Sequence, residues 1–512
     1  MAADGMAARA ERRDEVQALA VCRAEGRDFA TLFRRQYFLT RAAGCCPEGW
    51  REAVLDGWHL CHCPDLPVCR IRDGAGAEAG LFLGIGVDAR GGLFAADPVV
   101  PGVAGQAGFW EAAERVIEGI AGRYVVILSD GARQRVYMDP VCDLSAVYDP
   151  VARVVASSLL PGLHRPLVRN RRVDPDAVLS GAQNYAFQHT ADRHVKRMIN
   201  NHYLDLRNFC LVRHYPRGDE GFERDATALA DSCAAIVERL RAIMAALLGN
   251  YRCALPVTGG NDSRNLLACA PPEQLRGTRL FTHHVNKMSG FDFMIARQLG
   301  DLAGLPVEII DTHAARHKPL FDTARIERVQ RDREIASGYQ TRGRDARTLV
   351  AEQLAPDADL LLRGNVMEIL RANQYRPGQR EFSLAQGLER LRVAQTVDAT
   401  QAAIWGPDYM MWADTLPRNA CNRIHDFQFT EQLLPNTLGG HLTAMGPQFY
   451  MNPFADRGLI RTALALPPET RRANKLNVML VEQAWPALNA VDRTQKFKKN
   501  PENHARYDSE FR

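Results

Sequence analysis

The sequence predicts an α/β protein in which stacked antiparallel β-sheets with helices precede a doubly wound parallel sheet and a helical extension. Three observations predict this arrangement. Short β-branched runs separated by polar turns occupy the early part of the chain, the apolar spacing becomes helical near Thr227, and short apolar runs then alternate with helices. The length of 512 residues exceeds what one hydrophobic core fills, so two or more domains are expected.

The composition is that of a soluble globular protein. Apolar residues make up 46% and charged residues 24%, and a net charge of +4 gives no reason to expect nucleic acid or acidic lipid as partner. No run of 18 apolar residues is present, and charges interrupt positions 11–15, so neither a membrane-spanning helix nor a signal peptide is expected. We therefore expect a cytoplasmic protein whose 12 cysteines are reduced and mostly buried.

Residues 27–165 are predicted to form a β-rich domain. Apolar runs at 81–88 and 123–128 predict strands, and the Asp130-Gly131 pair after the second run is typical of a hairpin turn. A helix is predicted over about 108–120. Further short strands are predicted at 136–139, 146–148 and 151–157. Strands at this close spacing indicate stacked antiparallel sheets.

After a connecting segment at 166–226, residues 227–495 are predicted to form the parallel α/β domain. A long helix begins near Thr227, and apolar runs at 253–257, 279–284 and 307–310 alternate with helices. This alternation predicts helices on both faces of a doubly wound sheet. Beyond about Leu384 the chain is expected to be mostly helical, and the basic tail at 496–512 is expected to be solvated.

The most informative segment is the run Thr258-Gly259-Gly260-Asn261-Asp262-Ser263, which follows a short strand and opens a helix. Two glycines allow a tight turn and a close backbone approach to a ligand, and unpaired N–H groups at a helix start favour an anion. The hydroxyls of Thr258 and Ser263 add donors, and Asp262 can hold a divalent ion against phosphate oxygens. The loop therefore predicts a pyrophosphate site; the alternative is an ordinary Gly-Gly turn with a helix cap.

This loop resembles the Ser-Gly-Gly-x-Asp-Ser loop of the ATP pyrophosphatases, specifically of the asparagine synthetase-like family, with Thr258 in place of the first serine. Weaker similarities over about residues 80–500 include Ser289-Gly-Phe-Asp292 and Asn452-Pro-Phe454. The resemblance implies that ATP and Mg²⁺ are the cofactors and that a carboxylate is adenylated with release of pyrophosphate. An amine or ammonia then attacks the acyl-adenylate to give an amide.

The β-rich domain resembles a degenerate form of that family's glutamine amidotransferase domain. Glutamine hydrolysis in the family needs a cysteine directly after the initiator methionine. This chain has Ala2 and Ala3 there, and its first cysteine is Cys22. Cys45 and Cys46 are internal and cannot supply a free terminal amine unless the chain is cut. We therefore expect no glutaminase activity.

Residues 359–368 lie where the family has its second metal-binding loop, Gly-Glu-Gly-Ser-Asp-Glu, after a strand. Gly364 and Glu368 match that loop, whereas Met367 stands at the position of its Asp in an ungapped comparison. The resemblance thus implies Asp262 and Glu368 as the ligands of Mg²⁺. The alternative for Glu368 is a glutamate on a helix surface.

The resemblance also suggests a base and a cation for the amide-forming step. Counting back from Glu368, Glu334 (with Asp332 as alternative) falls near the family's acidic base. Lys496, with Lys475 and Lys498 as rivals, most nearly matches the family's lysine near the C-terminus. For each of them, an exposed charge without a catalytic role is the simpler interpretation.

A group of histidines and cysteines at 59–69 invites a zinc interpretation. Its Cys-x-Cys spacing differs from the usual Cys-x₂₋₄-Cys, and no second ligand pair follows at a regular distance. We interpret this segment as a core strand with alternating cysteines.

The leading hypothesis is an ATP-dependent, AMP-forming amide ligase of asparagine synthetase type, without glutaminase activity, that acts on aspartate or a larger acid. One alternative is an intramolecular amide-closing enzyme similar to β-lactam synthetases or lasso-peptide cyclases. Another is a nucleotide-binding pseudoenzyme. The expected partners are a small-molecule carboxylate and an amine or ammonia donor, and a homodimer is left open.

Overall fold

Two antiparallel sheets share one core in the N-terminal part of the protein. The computed structural model describes residues 15–218, 221–222, 225–340, 346–379, 382–444, 446 and 448–511. The strands of these sheets are β1 (Tyr37–Thr40), β2 (Arg51–Leu55), β3 (Trp58–His62), β4 (Val68–Arg72), β5 (Glu78–Val87), β6 (Ala121–Ser129), β7 (Gln134–Met138), β8 (Val147–Asp149), β9 (Val154–Ala156), β10 (Lys196–Arg197), β11 (His202–Asp205) and β12 (Cys210–Arg213).

The strand order is β10-β8-β9-β1-β3-β2 in one sheet and β12-β11-β7-β6-β5-β4 in the other. Every strand pair in them is antiparallel, as the sequence predicts. The expected hairpin is present: β6 and β7 pair around Asp130, whose Oδ1 accepts the N–H groups of Ala132 and Arg133. The helices of this part are α1 (Gln17–Glu25), α2 (Phe29–Leu32), α3 (Phe109–Glu118) and α4 (Pro175–Leu179).

A five-stranded parallel sheet forms the second part. Its strands are β13 (Cys253–Pro256), β14 (Arg279–His284), β15 (Val307–Asp311), β16 (Leu360–Leu362) and β17 (Phe449–Met451). The order β15-β14-β13-β16-β17 places β13 at the centre, and every pairing is parallel. The strand β17 lies in a stretch that the sequence predicts to be mostly helical. Three residues are too few to show a period, and only the pairing with β16 makes this segment a strand.

Helices surround this sheet and extend beyond it. They are α5 (Leu229–Asn250), α6 (Asn261–Cys269), α7 (Pro272–Leu275), α8 (Lys287–Ala303), α9 (Thr323–Ala336), α10 (Ala346–Gln353), α11 (Leu384–Leu391), α12 (Ala399–Ala413), α13 (Ile424–Gln428), α14 (Gly440–Thr443), α15 (Arg457–Ala465), α16 (Pro468–Arg472), α17 (Lys475–Ala484), α18 (Thr494–Phe497) and α19 (Pro501–Phe511). Among the helices described, none is both long and apolar enough to cross a bilayer.

The two parts of the chain share one hydrophobic core and are joined by buried polar contacts. Buried apolar side chains of both, such as Leu39 and Leu255, belong to one cluster. Arg457, at the start of α15, is 2% exposed. It donates to Asn201 Oδ1 at 3.1 Å and to the carbonyl of Met138 at 2.9 Å. A helix of the second part is therefore anchored inside the first.

The C-terminal tail packs against the second part. Tyr507 of α19 makes a 3.1 Å hydrogen bond from its hydroxyl to His284 Nε2. Its ring lies so close to Gly290 of α8 that a Cβ there would be 2.0 Å from it. The tail therefore packs on α8 through Tyr507, whereas most of its other described residues, including Lys496, are exposed as expected.

A fully buried ion pair holds the helical extension, which gives a first test. Arg471 contacts Asp426 at 2.6 and 3.0 Å, and neither residue is more than 1% exposed. Arg471→Met is expected to lower the free energy of unfolding by about 3–5 kcal/mol, because it leaves an unpaired buried carboxylate. Urea denaturation measures the change.

The matched control is Arg376→Gln, which removes an exposed ion pair with Glu389. It is expected to change stability by less than about 1 kcal/mol. Equal effects of the two substitutions would contradict the assigned role of burial.

Candidate functional site

The Thr258–Ser263 loop leaves the carboxyl end of the central strand β13 and runs into α6. In doubly wound sheets, ligands bind at this edge. The N-cap residue of α6 is Gly260, and it provides no side-chain cap. The N–H groups of the first helical turn therefore face outward at the positive end of the helix dipole, where an anion is stabilised.

The loop hydroxyls hold the loop together. Thr258 Oγ1 and Ser263 Oγ lie 3.0 Å apart, and the Thr258 N–H donates to Ser263 Oγ at 3.1 Å. The Gly260 N–H points to Thr258 Oγ1 at 3.3 Å. The hydroxyls predicted to bind a ligand are thus also the groups that set the shape of the loop.

Gly259 is enclosed by side chains from distant elements. Its N–H donates to Asp292 Oδ1 at 3.1 Å, and its carbonyl accepts the Thr494 N–H at 3.1 Å. A Cβ at this position would lie 2.2 Å from Thr494 Oγ1. Gly259 and Gly260 both lie outside the left-handed region, so neither is needed to supply a positive φ. Glycine is required at 259 because the neighbouring side chains leave no room for a Cβ.

Residues 488–494 brace the other side of the loop. The buried guanidinium of Arg264 donates to the carbonyls of Leu488 and Val491 at 3.0 and 2.6 Å. Arg493 donates to Asn261 Oδ1 at 2.5 Å. We call residues 488–494 the brace. Arg264 directly follows the Thr258–Ser263 motif, but its partners lie more than 220 residues away, so no local pattern predicts these contacts.

The second carboxylate comes from the chain after β16, the neighbour of β13. Gly364 packs so closely on Asp262 that a Cβ there would lie 2.7 Å from Asp262 Cβ. Glu368 follows in a 3₁₀ turn. Burial, together with the negative charge of Asp262, raises the pKa of Glu368. The structure therefore brings the two predicted metal ligands into one electrostatic environment.

Each of the two carboxylates has one oxygen without a partner. Asp262 Oδ1 and Glu368 Oε2 are buried and unbonded, while Asp262 Oδ2 accepts from Arg371 Nη2 at 3.1 Å. Burial raises the pKa of Asp262, and Arg371 opposes this shift only in part. Two buried carboxylate oxygens are the donor type that Mg²⁺ prefers, with water and phosphate completing its shell. These residues therefore fit the implied ion.

Met367 contributes no oxygen to this pair, because its side chain carries a thioether sulfur, and it is fully buried in the core. Across the described ranges, no group of three or more metal-binding side chains occurs. Between Gly364 and Met367, Val366 has φ +76°, a strained conformation for a β-branched residue. Such strain is retained where surrounding structure fixes it, often at a functional site.

Glu368 lines a cavity of about 530 Å³. One wall is the widened helix at 429–439, which is π-helical over Phe429–Leu433 and Pro435–Gly439. Gln340 donates to the carbonyl of Asn436 at 2.5 Å in this wall. Its apolar lining includes Phe429, Leu433, Leu434 and Leu438. Turns of π-helix occur frequently at functional sites.

A buried charge cluster borders the same cavity, and it was not predicted from the sequence. Glu352 lies 3.3 Å from Arg333, 3.6 Å from Arg363 and 3.8 Å from His441. Burial alone would raise the pKa of Glu352, but these three groups hold it well below its usual range. Burial and the charge of Arg333 lower the pKa of His441 to about 4, so its imidazole is neutral at pH 7.

The proposed base lies elsewhere. Glu334 is 8% exposed near the end of α9 and pairs with Arg331 at 3.2 Å. It is not among the described residues that line the 530 Å³ cavity. Its alternative, Asp332, pairs with Arg27 at 2.5 Å. Glu352, by contrast, lines this cavity together with Glu368 and Glu389.

The proposed lysine lies near the loop but on the surface. Lys496 is in α18, two residues after Thr494, with its side chain 79% exposed and its Nζ 2.7 Å from Asp492. Lys475 is exposed at the start of α17, and Lys498 is partly exposed. Their assignment stays a prediction.

The cysteine- and histidine-rich segment forms strand β3 and the chain after it. Cys61, His62 and Cys63 are buried there. Ala2 and Ala3, on which the prediction about glutaminase depends, lie outside the described residues.

Comparison with known proteins adds no assignment. No model of a known family matches the sequence, and no curated protein matches it. The interpretation of the site therefore rests on its residues and their geometry.

The close packing around Gly259 predicts that alanine destabilises the protein more at position 259 than at position 260. Gly259→Ala is expected to lower the free energy of unfolding by about 1–3 kcal/mol, because its Cβ collides with Thr494. In Gly260→Ala the nearest atom to the new Cβ is 3.4 Å away, so a smaller change is expected. Thermal unfolding of both variants gives the comparison, and equal losses would count against the close packing.

The pKa of Glu368 predicts a pH-dependent stabilisation. Because folding raises this pKa, the ionised buried carboxylate costs free energy above it, and the cost disappears as the pH falls through it. Without Mg²⁺, Glu368→Gln is expected to raise the free energy of unfolding by about 1 kcal/mol near pH 8. Near pH 5 the gain should be smaller.

Unfolding in EDTA at the two pH values measures this effect. The control is Glu327→Gln, at an exposed position of α9, which should change stability little at either pH. Destabilisation by Glu368→Gln at high pH would show that the carboxylate has a protein partner.

Proposed function

We propose that this protein is an ATP-dependent, AMP-forming amide ligase of asparagine synthetase type that works without glutaminase activity. One observation carries the proposal. Two buried carboxylate oxygens without partners, on Asp262 and Glu368, lie beside the uncapped start of α6 at the carboxyl edge of the sheet. This combination suits a magnesium-bound pyrophosphate.

In this proposal each part of the loop has a role. The N–H groups of the first turn of α6, with the Thr258 and Ser263 hydroxyls, bind the pyrophosphate oxygens. Asp262 and Glu368 hold Mg²⁺, which when bound neutralises charge on the leaving pyrophosphate. Asp292 and Thr494 keep Gly259 in position. A substrate carboxylate oxygen attacks the α-phosphorus, and the bond from that phosphorus to the pyrophosphate oxygen breaks.

The cavity beside Glu368 supports an acid larger than aspartate as the acyl substrate. Its volume of about 530 Å³ and the apolar side chains of the widened helix fit an extended carbon skeleton. Arg363 and Glu352, which also line this cavity, are suited to polar ends of the substrates. A product with a new amide bond is the expected outcome.

The Asp262 carboxylate provides the direct test. With Mg·ATP and a panel of carboxylates, wild-type protein is expected to release AMP and pyrophosphate. Asp262→Asn should slow this release by about 100-fold or more, because it removes charge from the proposed metal site. Chromatography of the nucleotides together with a pyrophosphate assay measures both products.

The matched control is Asp301→Asn, at an exposed position of α8, which should leave the rate unchanged. Formation of ADP and phosphate would contradict the mechanism. Binding of Mg·ATP without turnover of any carboxylate would favour the nucleotide-binding pseudoenzyme. That alternative has one structural observation in its favour, since Met367 gives the second loop one oxygen fewer.

A further inference from the structure

A second cavity lies between the N-terminal segment and the parallel α/β part. Its volume is about 560 Å³, and it is bordered by residues at 27–34 on one side and by α9, α10 and the chain after α14 on the other. Its charged lining consists of five arginines and three carboxylates, which favours an anionic ligand. The proposed ATP site makes no use of this cavity.

Glu352 lies where the two cavities meet, because it lines both. Its Oε2 faces Arg333, which lines the second cavity, at 3.3 Å. Its Oε1 faces Arg363, which lines the cavity beside Glu368, at 3.6 Å. A molecule in the second cavity therefore approaches the proposed acyl site at this carboxylate.

Arg333 is a buried guanidinium with an unused donor. The residue is 6% exposed, and its Nη1 is buried without a hydrogen-bond partner. Its Nη2 is already shared by Glu352 and His441 at 3.3 and 3.5 Å. Buried charged donors are nearly always satisfied, so this nitrogen requires an acceptor. An anion in the second cavity supplies one.

The charges around Glu352 also favour an anion. Two guanidiniums face one carboxylate, and His441 is neutral, so the cluster has a net positive charge. At the cavity rim, Arg325 is exposed on α9 and has no ion pair with the described residues. Arg328 is also exposed there, with Asp332 at 3.9 Å. The rim therefore attracts negative charge as well.

We infer that the second cavity binds the amine substrate, and that this amine carries a carboxylate next to its amino group, as an α-amino acid does. Arg333 Nη1 donates to the carboxylate, and the ammonium group faces Glu352 at the meeting point of the cavities. The binding of an amino acid in this cavity is inferred independently of the proposed function. Only its role as the attacking amine rests on that function.

In the amide-forming step, groups of this cluster accept the released proton and stabilise the resulting charge. The amino nitrogen, after losing its ammonium proton to water, attacks the acyl carbon, and a C–N bond forms. The bond from that carbon to the phosphate oxygen of AMP breaks, and AMP leaves with the electron pair. The surplus proton on nitrogen passes to the neutral imidazole of His441, and the resulting cation lies beside the Glu352 carboxylate.

Matched ligands test the binding directly. Saturation-transfer NMR without ATP compares a panel of L-amino acids with their decarboxylated amines, for example L-alanine with ethylamine and L-phenylalanine with phenethylamine. At least one amino acid is expected to bind about tenfold more tightly than its amine. Equal affinities throughout, or no binding, would overturn the inference.

The variant Arg333→Gln is expected to remove this preference, so that the affinities of amino acid and amine become similar. Thermal unfolding establishes whether the variant is folded. If it is not, the double variant Arg325→Gln/Arg328→Gln takes its place, and the preference should fall several-fold. A folded variant that keeps the full preference would overturn the inference.

Kinetics separates this inference from the proposed function. ATP–pyrophosphate exchange reports adenylation alone, and Arg333→Gln should lower it far less than it raises the KM for the amino acid, which is expected to increase about tenfold. A merely structural defect would lower both activities. Absence of exchange in the wild-type protein would contradict the ligase, whereas a preference for amino acids in NMR would still support the second cavity as their binding site.

Discussion

The burial of one oxygen on each of two carboxylates is the constraint on which the site depends. Asp262 and Glu368 follow neighbouring strands of one parallel sheet, and the lack of a side chain at Gly364 allows the two segments to meet. Arg371 pairs with Asp262 Oδ2, and Asp262 Oδ1 and Glu368 Oε2 have no hydrogen-bond partner. The uncapped start of α6 places positive potential beside them, so a magnesium-bound anion satisfies both at once.

The brace links the geometry of this site to the C-terminal end of the chain. Thr494 and Asp292 enclose Gly259, and Arg264 ties α6 to carbonyls of residues 488–492. The loop is therefore held both by α8, about 30 residues on, and by the brace, more than 200 residues away. Because α18 and α19 continue directly from the brace and pack on α8, the C-terminal residues are part of the architecture of the site.

The sequence predicts those features that depend on local order. The strand-loop-helix unit around Thr258 and the hairpin at Asp130 follow from short-range patterns. The strand β17, the docking of Tyr507 and the Glu352–Arg333–His441 cluster depend on partners brought together only by folding. Counting along the chain assigned Glu334 as base, but position in sequence does not fix which carboxylate of α9 or α10 reaches a cavity.

The anchoring of Arg457 inside the antiparallel part has a consequence for how this protein can evolve. Separating the two parts would strip this guanidinium of its acceptors, and would also leave the buried Asp143 without the amide of Asn452. Loss of the antiparallel part is therefore expected to destabilise its neighbour. Its sequence is constrained by this support as well as by any chemistry of its own.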